Sequence, residues 1–501
     1  MNPRITHRAT GALAAIVSIV PAMVFMTAPA SADDIPSHPR ELEFAPLEFT
    51  PPAAENFRHV LSNGVVVFCA PSREFPLIDL SMTFRGGSYM DPPGKTGLAG
   101  MTGRMMRQGG TTSIPAEEVD EQLDFLASQV RIFVGDTSAG AGMNCLTSNF
   151  DETFDLMLEL IRTPGYQQDR VELERSEIIE RMKQRNDNAS GVVRREWNWL
   201  LYGNDHFSAR EATLNDVESI TADDMRAMQH RIFHPGNLYI AVSGDFETAE
   251  MLKTLESAMS GWEAGEVAPP IPDPTAELVP GVYHAEQDIP QGKVRIGMRT
   301  IERDDPDYFP MLVMNDILGG GGFTSRITNR VRSDEGLAYS AGSRFGVNPY
   351  YPGAWSAAFD SKNRTVALAI KLIYEEIERV RDEPVTAEEL ETAKASFIET
   401  FPRTFESRPT MLNVFVTDEM TDRPAGYWQS FRDNIRAVTA EDVQRVAKTH
   451  LSPENMAILV VGKWEEIYGG DLEGRATMAD FFGGSVAHRP KLDPLTLEAS
   501  R

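Results

Sequence analysis

At 501 residues the chain is long enough for roughly two to four domains with sizeable cores. Its 48 Lys and Arg face 74 Asp and Glu, a formal charge of −26, which argues against nucleic acid or anionic membrane as partners because both need basic surface. Apolar residues at 42%, with Gly and Pro dispersed, exclude a disordered chain.

The N-terminus has the pattern of an export signal. Arg4 and Arg8 precede an uncharged stretch, 9–32, whose apolar part, 11–26, is broken by Pro21 and ends at Ala30-Ser31-Ala32 before Asp33-Asp34. A membrane anchor is the rival, but Ser18, Pro21, Thr27, Pro29 and Ser31 interrupt the ~20 apolar residues a span needs. Cleavage after residue 32 removes two Arg and no acid, giving a mature charge of −28. The expected product is exported, periplasmic and without a membrane span. Residues 33–55, with five Pro, read as an extended N-terminal arm.

From residue 56 onward strand-like and helix-like runs alternate. The apolar run 65–68 leads to Cys69, and the weaker alternating run 139–146 contains Cys145. In an oxidising compartment the two could pair; alternatively they are small buried hydrophobes that never meet, which the geometric demands of a disulfide favour. Amphipathic helices are expected at 154–161 and 366–377, each followed by a second, acidic helix at 168–183 and 387–398. The segment Ile220-Thr221-Ala222-Asp223-Asp224-Met225 matches Val438-Thr439-Ala440-Glu441-Asp442-Val443 at an offset of 218 residues, and the same offset pairs Pro235 with Pro453, Asn237 with Asn455 and Gly244 with Gly462. Each copy reads as a Thr-capped helix, a Pro-x-Asn turn and a buried strand ending at Gly. His230 and His234 stand at i, i+4, but Pro235 biases His234 out of the helix, leaving two His near a helix C-terminus.

The expected organisation is a signal peptide at 1–32, the arm at 33–55, homologous units at 56–262 and 285–465, a Pro-rich linker at 263–284 and a C-terminal tail at 466–501 that packs peripherally or frays. Five prolines and three acids between Gly265 and Pro280 mark the linker as stiff and exposed. The fold class is α+β, each unit a mostly antiparallel sheet covered by helices.

The run Gly97-Leu98-Ala99-Gly100-Met101-Thr102-Gly103-Arg104-Met105, following the strand-like 77–84 and the turn Gly86-Gly87-Ser88, resembles the zinc-site helix of the insulinase (pitrilysin) family of metallopeptidases. That family carries H-x-x-E-H there, with two His as zinc ligands and the Glu as general base. Here the three positions are Gly100, Gly103 and Arg104. Gly has no donor, and a guanidinium does not ligate a cation. The family's third ligand, a Glu about 76 residues further on, falls by position on Glu180, which otherwise reads as one charge of a solvated helix face. Arg104 paired with Glu180 is one expectation for the vacated position. No catalytic residue and no metal are expected in this chain itself.

The second half keeps a different family feature. Asn315-Asp316-Ile317-Leu318-Gly319-Gly320-Gly321-Gly322-Phe323-Thr324-Ser325-Arg326 resembles the family's "N-x-x-L-G-G-G-x-x-x-S-R" segment and runs on to Arg332 and Tyr339, seven residues apart. The resemblance implies that this Arg and Tyr bind substrate and help stabilise charge on the scissile carbonyl. The alternative is an Arg332 ion pair with Asp334 or Glu335 and a Tyr339 that fills core. The glycine run lacks the Gly-Lys-Ser/Thr ending of a phosphate loop.

The resemblance covers nearly all of 56–465. It implies two homologous domains in a clam-shell arrangement and a non-catalytic subunit of an exported heterodimeric zinc metallopeptidase. Zinc would sit in the partner, a zinc-bearing insulinase-family subunit. This chain would supply Arg332, Tyr339 and half of an acidic chamber suited to basic, unfolded peptides. The other reading is a peptide-binding or scaffold protein, as a homodimer or complex subunit, with no peptidase role.

Overall fold

The structure, a computed structural model, describes residues 48–500. The expected signal segment, 1–32, and residues 33–47 of the expected arm lie outside the described residues. Among the described residues no helix is long and apolar enough to cross a membrane.

Two six-stranded sheets organise the chain, as the α+β reading requires. The first is built from β1 (Arg58–Val60), β2 (Val66–Pro71), β3 (Leu77–Arg85), β4 (Gln129–Val134), β5 (Ser138–Leu146) and β6 (Leu238–Gly244), in the order β1-β2-β6-β3-β5-β4. The second holds β7 (Gly281–Glu286), β8 (Gln291–Arg299), β9 (Ala338–Gly346), β10 (Ala354–Lys362), β11 (Ala457–Gly462) and β12 (Val486–Arg489), in the order β12-β7-β11-β8-β10-β9. Pairings are antiparallel except where β2 meets β6, β7 meets β11 and β12 meets β7. The period of two is clean: on β3, Ile78, Leu80, Met82 and Phe84 are buried while the residues between them are half-exposed.

The segments matched at the 218-residue offset adopt the same local structure. Thr221 and Asp224 form a reciprocal capping box at the start of the Ala222–Ile232 helix, and Thr439 and Asp442 do so for the Ala440–His450 helix. Each helix ends in a 3-10 turn, Pro235–Asn237 or Pro453–Asn455, that feeds the strand third in line in its sheet.

One face of each sheet packs on helices of its own half. The other face is partly covered by a helix from the opposite half. The Ala189–Tyr202 helix, capped by the Asn188 side chain on Ser190 N (2.9 Å), lays Ala189, Val192, Val193, Trp197 and Leu201 on Ala285, Ala457, Leu459 and Val461 of the second sheet. The Arg408–Met420 helix lays Met411, Leu412, Phe415 and Val416 on Val66, Phe68, Ala70 and Ala241 of the first. The exchange is reciprocal.

The segments expected as linker and tail are more ordered than their composition suggests. His234 accepts at Nδ1 from Gly265 N (3.0 Å) and donates at Nε2 to the Glu266 carbonyl (3.1 Å), while Tyr89 Oη donates to the Pro269 carbonyl (2.8 Å). Burial lowers the His234 pKa, so this His is a neutral staple and not a helix-end cation. The second sheet takes up the end of the expected linker as β7 and part of the expected tail as β12. Ala476, Met478 and Phe481 enter its core, and Arg489 reaches buried Glu196 (2.9 Å). Peripheral packing thus understates the tail, whose sparse apolar residues are the ones that anchor it. Cys69 and Cys145 are free and buried on strands separated by β6 and β3; burial pushes their thiols up to about 12 and about 11.

Phe415 is 2% exposed, with its ring 5.8 Å from Phe57 and 5.9 Å from Phe68. Phe415→Ala is expected to lower unfolding stability by about 3–5 kcal/mol. A loss under about 1 kcal/mol in denaturant titration, the size of a surface change, would show that the helix exchange does not hold the halves together.

Candidate functional site

The motif helix, Leu98–Gln108, starts where a buried carboxylate collects its first amides. Asp91 accepts from Gly97 N and Ala99 N, both at 2.8 Å. Burial nevertheless dominates and pushes its carboxyl up to about 6. Leu98, Ala99, Met101, Met105 and Met106 face the core, and the helix lies along the edge strand β4.

At Gly103 the helix and β4 nearly touch. A Cβ there would stand 2.8 Å from Val134 N and 3.0 Å from the Phe133 carbonyl carbon, so the position has room for Gly alone. At Gly100 the nearest atom is Arg104 Nη1, 3.5 Å away. Arg104 Nε donates to Glu174 Oε1 at 2.6 Å, and Arg181 Nη2 donates to the same oxygen at 3.2 Å. Glu174 is 4% exposed, on the Gln168–Lys183 helix. The expected partner of Arg104, Glu180, is instead on the exposed side of that helix and pairs with Lys183 at 2.6 Å. The helical period explains the correction: 174 and 180 point to different faces, and only the first faces the motif.

A zinc site needs at least three protein donors. The motif positions offer none, Glu174 beside Arg104 is held by two guanidiniums, and the backbone at Gly103 excludes any longer side chain. Among the described residues no group of three or more His, Cys, Asp or Glu is placed to hold a metal. The family's zinc does not fit this chain.

The second half presents its residues outward. After the Tyr308–Asn315 helix the backbone runs through a wide turn, Asp316–Gly320, where a Cβ on Gly319 would stand 2.5 Å from Ser343 N. Gly322 has φ +61 and leads into Phe323. Arg326 then donates to both carboxylate oxygens of Glu389 at 2.7 and 2.9 Å. Burial raises the Glu389 pKa, but the bonds from Arg326 and Thr386 outweigh it and hold the carboxyl at about 2. This anchor precedes Arg332, whose guanidinium lies between two rings, 4.6 Å from the Phe323 centroid and 4.7 Å from that of Tyr339.

Both rings are open to solvent, Phe323 at 68% and Tyr339 at 85% exposure. Tyr339 therefore does not fill core. Glu335 is taken by Arg475 (2.8 Å) and Arg330 (3.8 Å), and Arg332 has no ion pair among the described residues. Tyr339 stands near the start of β9, the edge of the second sheet, and borders a groove with Lys293, Arg295, Ser340 and Asp360. Gly100 borders a separate depression with Asp91, Asp136, Arg194 and Arg210. The two depressions share no lining residue.

A family profile described as "Peptidase M16 inactive domain" matches residues 219–397. In that segment the chain is similar to the peptidase M16 family. It is similar to a non-peptidase homologue, YmxG, of Helicobacter pylori, at 22% identity over 77% of this chain and 89% of the relative. It is similar as well to an uncharacterized zinc protease, also named YmxG, of Bacillus subtilis, at 21% identity over 81% of this chain and 97% of the relative. The crystal structure of a peptidase M16 inactive domain from Pseudomonas fluorescens shares the fold, with a TM-score of 0.73 and 23% identity over 81% of this chain and 97% of that one. None of the three motif positions of this chain carries a metal donor.

Two residues of the site escaped sequence reasoning. Glu174 is one of five acids on one helix, and a fixed count from the motif selected Glu180. Phe323 follows four glycines; an aromatic at the tip of a glycine run is a usable signal, because no core position lies there.

Arg104→Ala leaves buried Glu174 with Arg181 alone and is expected to cost about 1–2 kcal/mol, discounted for the exposure of both arginines. Gly103→Ala is expected to cost about 1–3 kcal/mol by overpacking against β4. Thermal melts check both. A Gly103→Ala protein as stable as the parent would mean that the helix can lift off the strand.

Proposed function

We propose that this chain is the non-catalytic subunit of an exported, two-chain zinc peptidase, acting in the periplasm beside a zinc-bearing M16 partner. It binds unfolded peptide substrate and lends Arg332 and Tyr339 to the partner's active site. The observation that carries the reading is the Arg332 stack. The guanidinium carbon sits over two aromatic rings, and its N–H donors have no partner among the described residues, which leaves them available to a carbonyl oxygen. The Tyr339 hydroxyl is a second donor, exposed beside it. A fixed cation and a phenol together suit a carbonyl that gains negative charge. The free edge of β9 gives an extended peptide a strand to pair with through its backbone, which tolerates varied sequence. Water activation belongs to the partner, since the donors for it are missing here.

Purified alone, the chain is expected to hold substoichiometric zinc and to cleave no unfolded peptide. Stoichiometric zinc by elemental analysis, with cleavage abolished by chelator, would sink the reading. In the complex, Arg332→Ala is expected to leave assembly intact and to lower turnover by on the order of 10²–10³. Tyr339→Phe should act in the same direction, and the two effects should be less than additive if both groups serve one carbonyl. A complex that keeps full turnover with both substitutions would make the chain a scaffold.

A further inference from the structure

The uncovered half-faces of the two sheets differ in how their charges are spent. On the first, Asn144 donates to Asp79 (2.8 Å), Arg131 to Gln129 (3.0 Å) and Arg85 to the Met420 carbonyl (3.1 Å). On the second, Lys293 is met by Asp360 (2.6 Å) and Arg299 reaches back to the Ala276 carbonyl (2.6 Å). Three cations remain: Arg295 on β8, Arg344 on β9 and, at the end of β10, exposed Lys362 have no side-chain hydrogen bond or ion pair among the described residues, and the two arginines are the pair set in the body of the sheet.

Strand register sets these two across a trough. Arg295 stands opposite Ala358 and Arg344 opposite Ser356, with Gly342 and Gly297 completing the rows on β9 and β8. Between the guanidiniums the floor carries nothing larger than a hydroxymethyl group. Burial lowers the Arg295 pKa; Asp360 opposes this and the charge of Arg344 adds to it, so the two cations repel across the trough. Arg295 lines the same groove as Tyr339, on which Arg332 is stacked.

We propose that this half-face is a docking surface for an acidic, extended peptide segment whose carboxylates sit on Arg295 and Arg344. The inference rests on reading the β9 edge as the peptide-binding edge, and it names the class of peptide. A strand added to that edge sends every second side chain over the face that bears Arg344. A carboxylate there meets a planar donor able to bind both its oxygens, and it relieves the repulsion between the two cations. The whole-chain charge of −26 suggests basic peptides, but net charge acts at long range and is screened, whereas the local pair decides who fits. The same net charge disfavours a nucleic acid, whose many phosphates would face the acidic remainder of the surface.

Fluorescence anisotropy on the full chain alone, with an unstructured labelled peptide of alternating Glu and Ala as probe, tests this. The Glu peptide is expected to bind about ten-fold or more tighter than its Gln counterpart, and to weaken as salt rises. The double substitution Arg295→Gln, Arg344→Gln is expected to abolish the preference with the thermal midpoint unchanged. Ala358→Asp, which places the protein's own carboxylate in the trough, should abolish it as well. Equal binding of the Glu and Gln peptides overturns the proposal, as does tighter binding of a Lys peptide or a single-stranded oligonucleotide. So does a preference that survives both variants. Neither partner nor zinc enters this experiment, so its failure leaves the two-chain reading intact, and failure of the Arg332 test in the complex leaves this one intact.

Discussion

The reciprocal exchange of the Ala189–Tyr202 and Arg408–Met420 helices is the contact on which the remaining architecture depends. Each sheet has an apolar half-face that its own half does not cover: Ala285, Ala457, Leu459 and Val461 on the second, Val66, Phe68, Ala70 and Ala241 on the first. Left bare, these would be exposed apolar patches of the kind that associate. Covering each with a helix of the other half makes the two halves obligate partners within one chain. The aromatic contacts of Phe415 with Phe57 and Phe68 and the buried Arg195–Glu196–Arg489 cluster close the two seams.

The same exchange decides what is left open. Each donated helix covers the end of a sheet where β2 and β6, or β7 and β11, pair in parallel, and leaves the other end uncovered. Among the described residues, the edge strands at those uncovered ends are β4 in the first half and β9 in the second. On the β4 side the edge carries Arg131 and the exposed Phe133, and the degenerate motif lies against its back. On the β9 side it carries Tyr339 and Arg344, with Arg332 stacked on the tyrosine ring. Two edge strands, β4 and β9, thus stand beside the uncovered half-faces.

Loss of the metal donors is a packing change as well as a chemical one. With Gly at 103 the helix settles on β4 at a distance that no Cβ tolerates, so the loss cannot be reversed by restoring side chains alone. Arg104 supplies the positive charge that buried Glu174 needs, and Arg181 supports it. An acid left there without a cation would pay the cost of an unpaired buried charge. The site is therefore a settled structural contact and not an empty version of a metal centre.

Much of this was legible in the residues. Period-two and helical spacing gave the α+β class, the 218-residue offset located the matching capped helices and strands, and the residues at the three motif positions show that none of them offers a metal donor. These are local properties: a Thr cap, a turn proline or a missing imidazole acts within a few residues of itself. Other features needed the folded chain. Which of five acids on one helix meets Arg104, whether Tyr339 fills core or faces water, and where Phe323 stacks are set by contacts between segments far apart in sequence. The unpaired Arg295 and Arg344 belong to the same class, since a cation counts as free only after every element packed beside it has been placed. The helix exchange is the clearest case: the sequence of 189–202 specifies an apolar stripe, but only tertiary structure selects the second sheet, and not its own, as the surface that buries it.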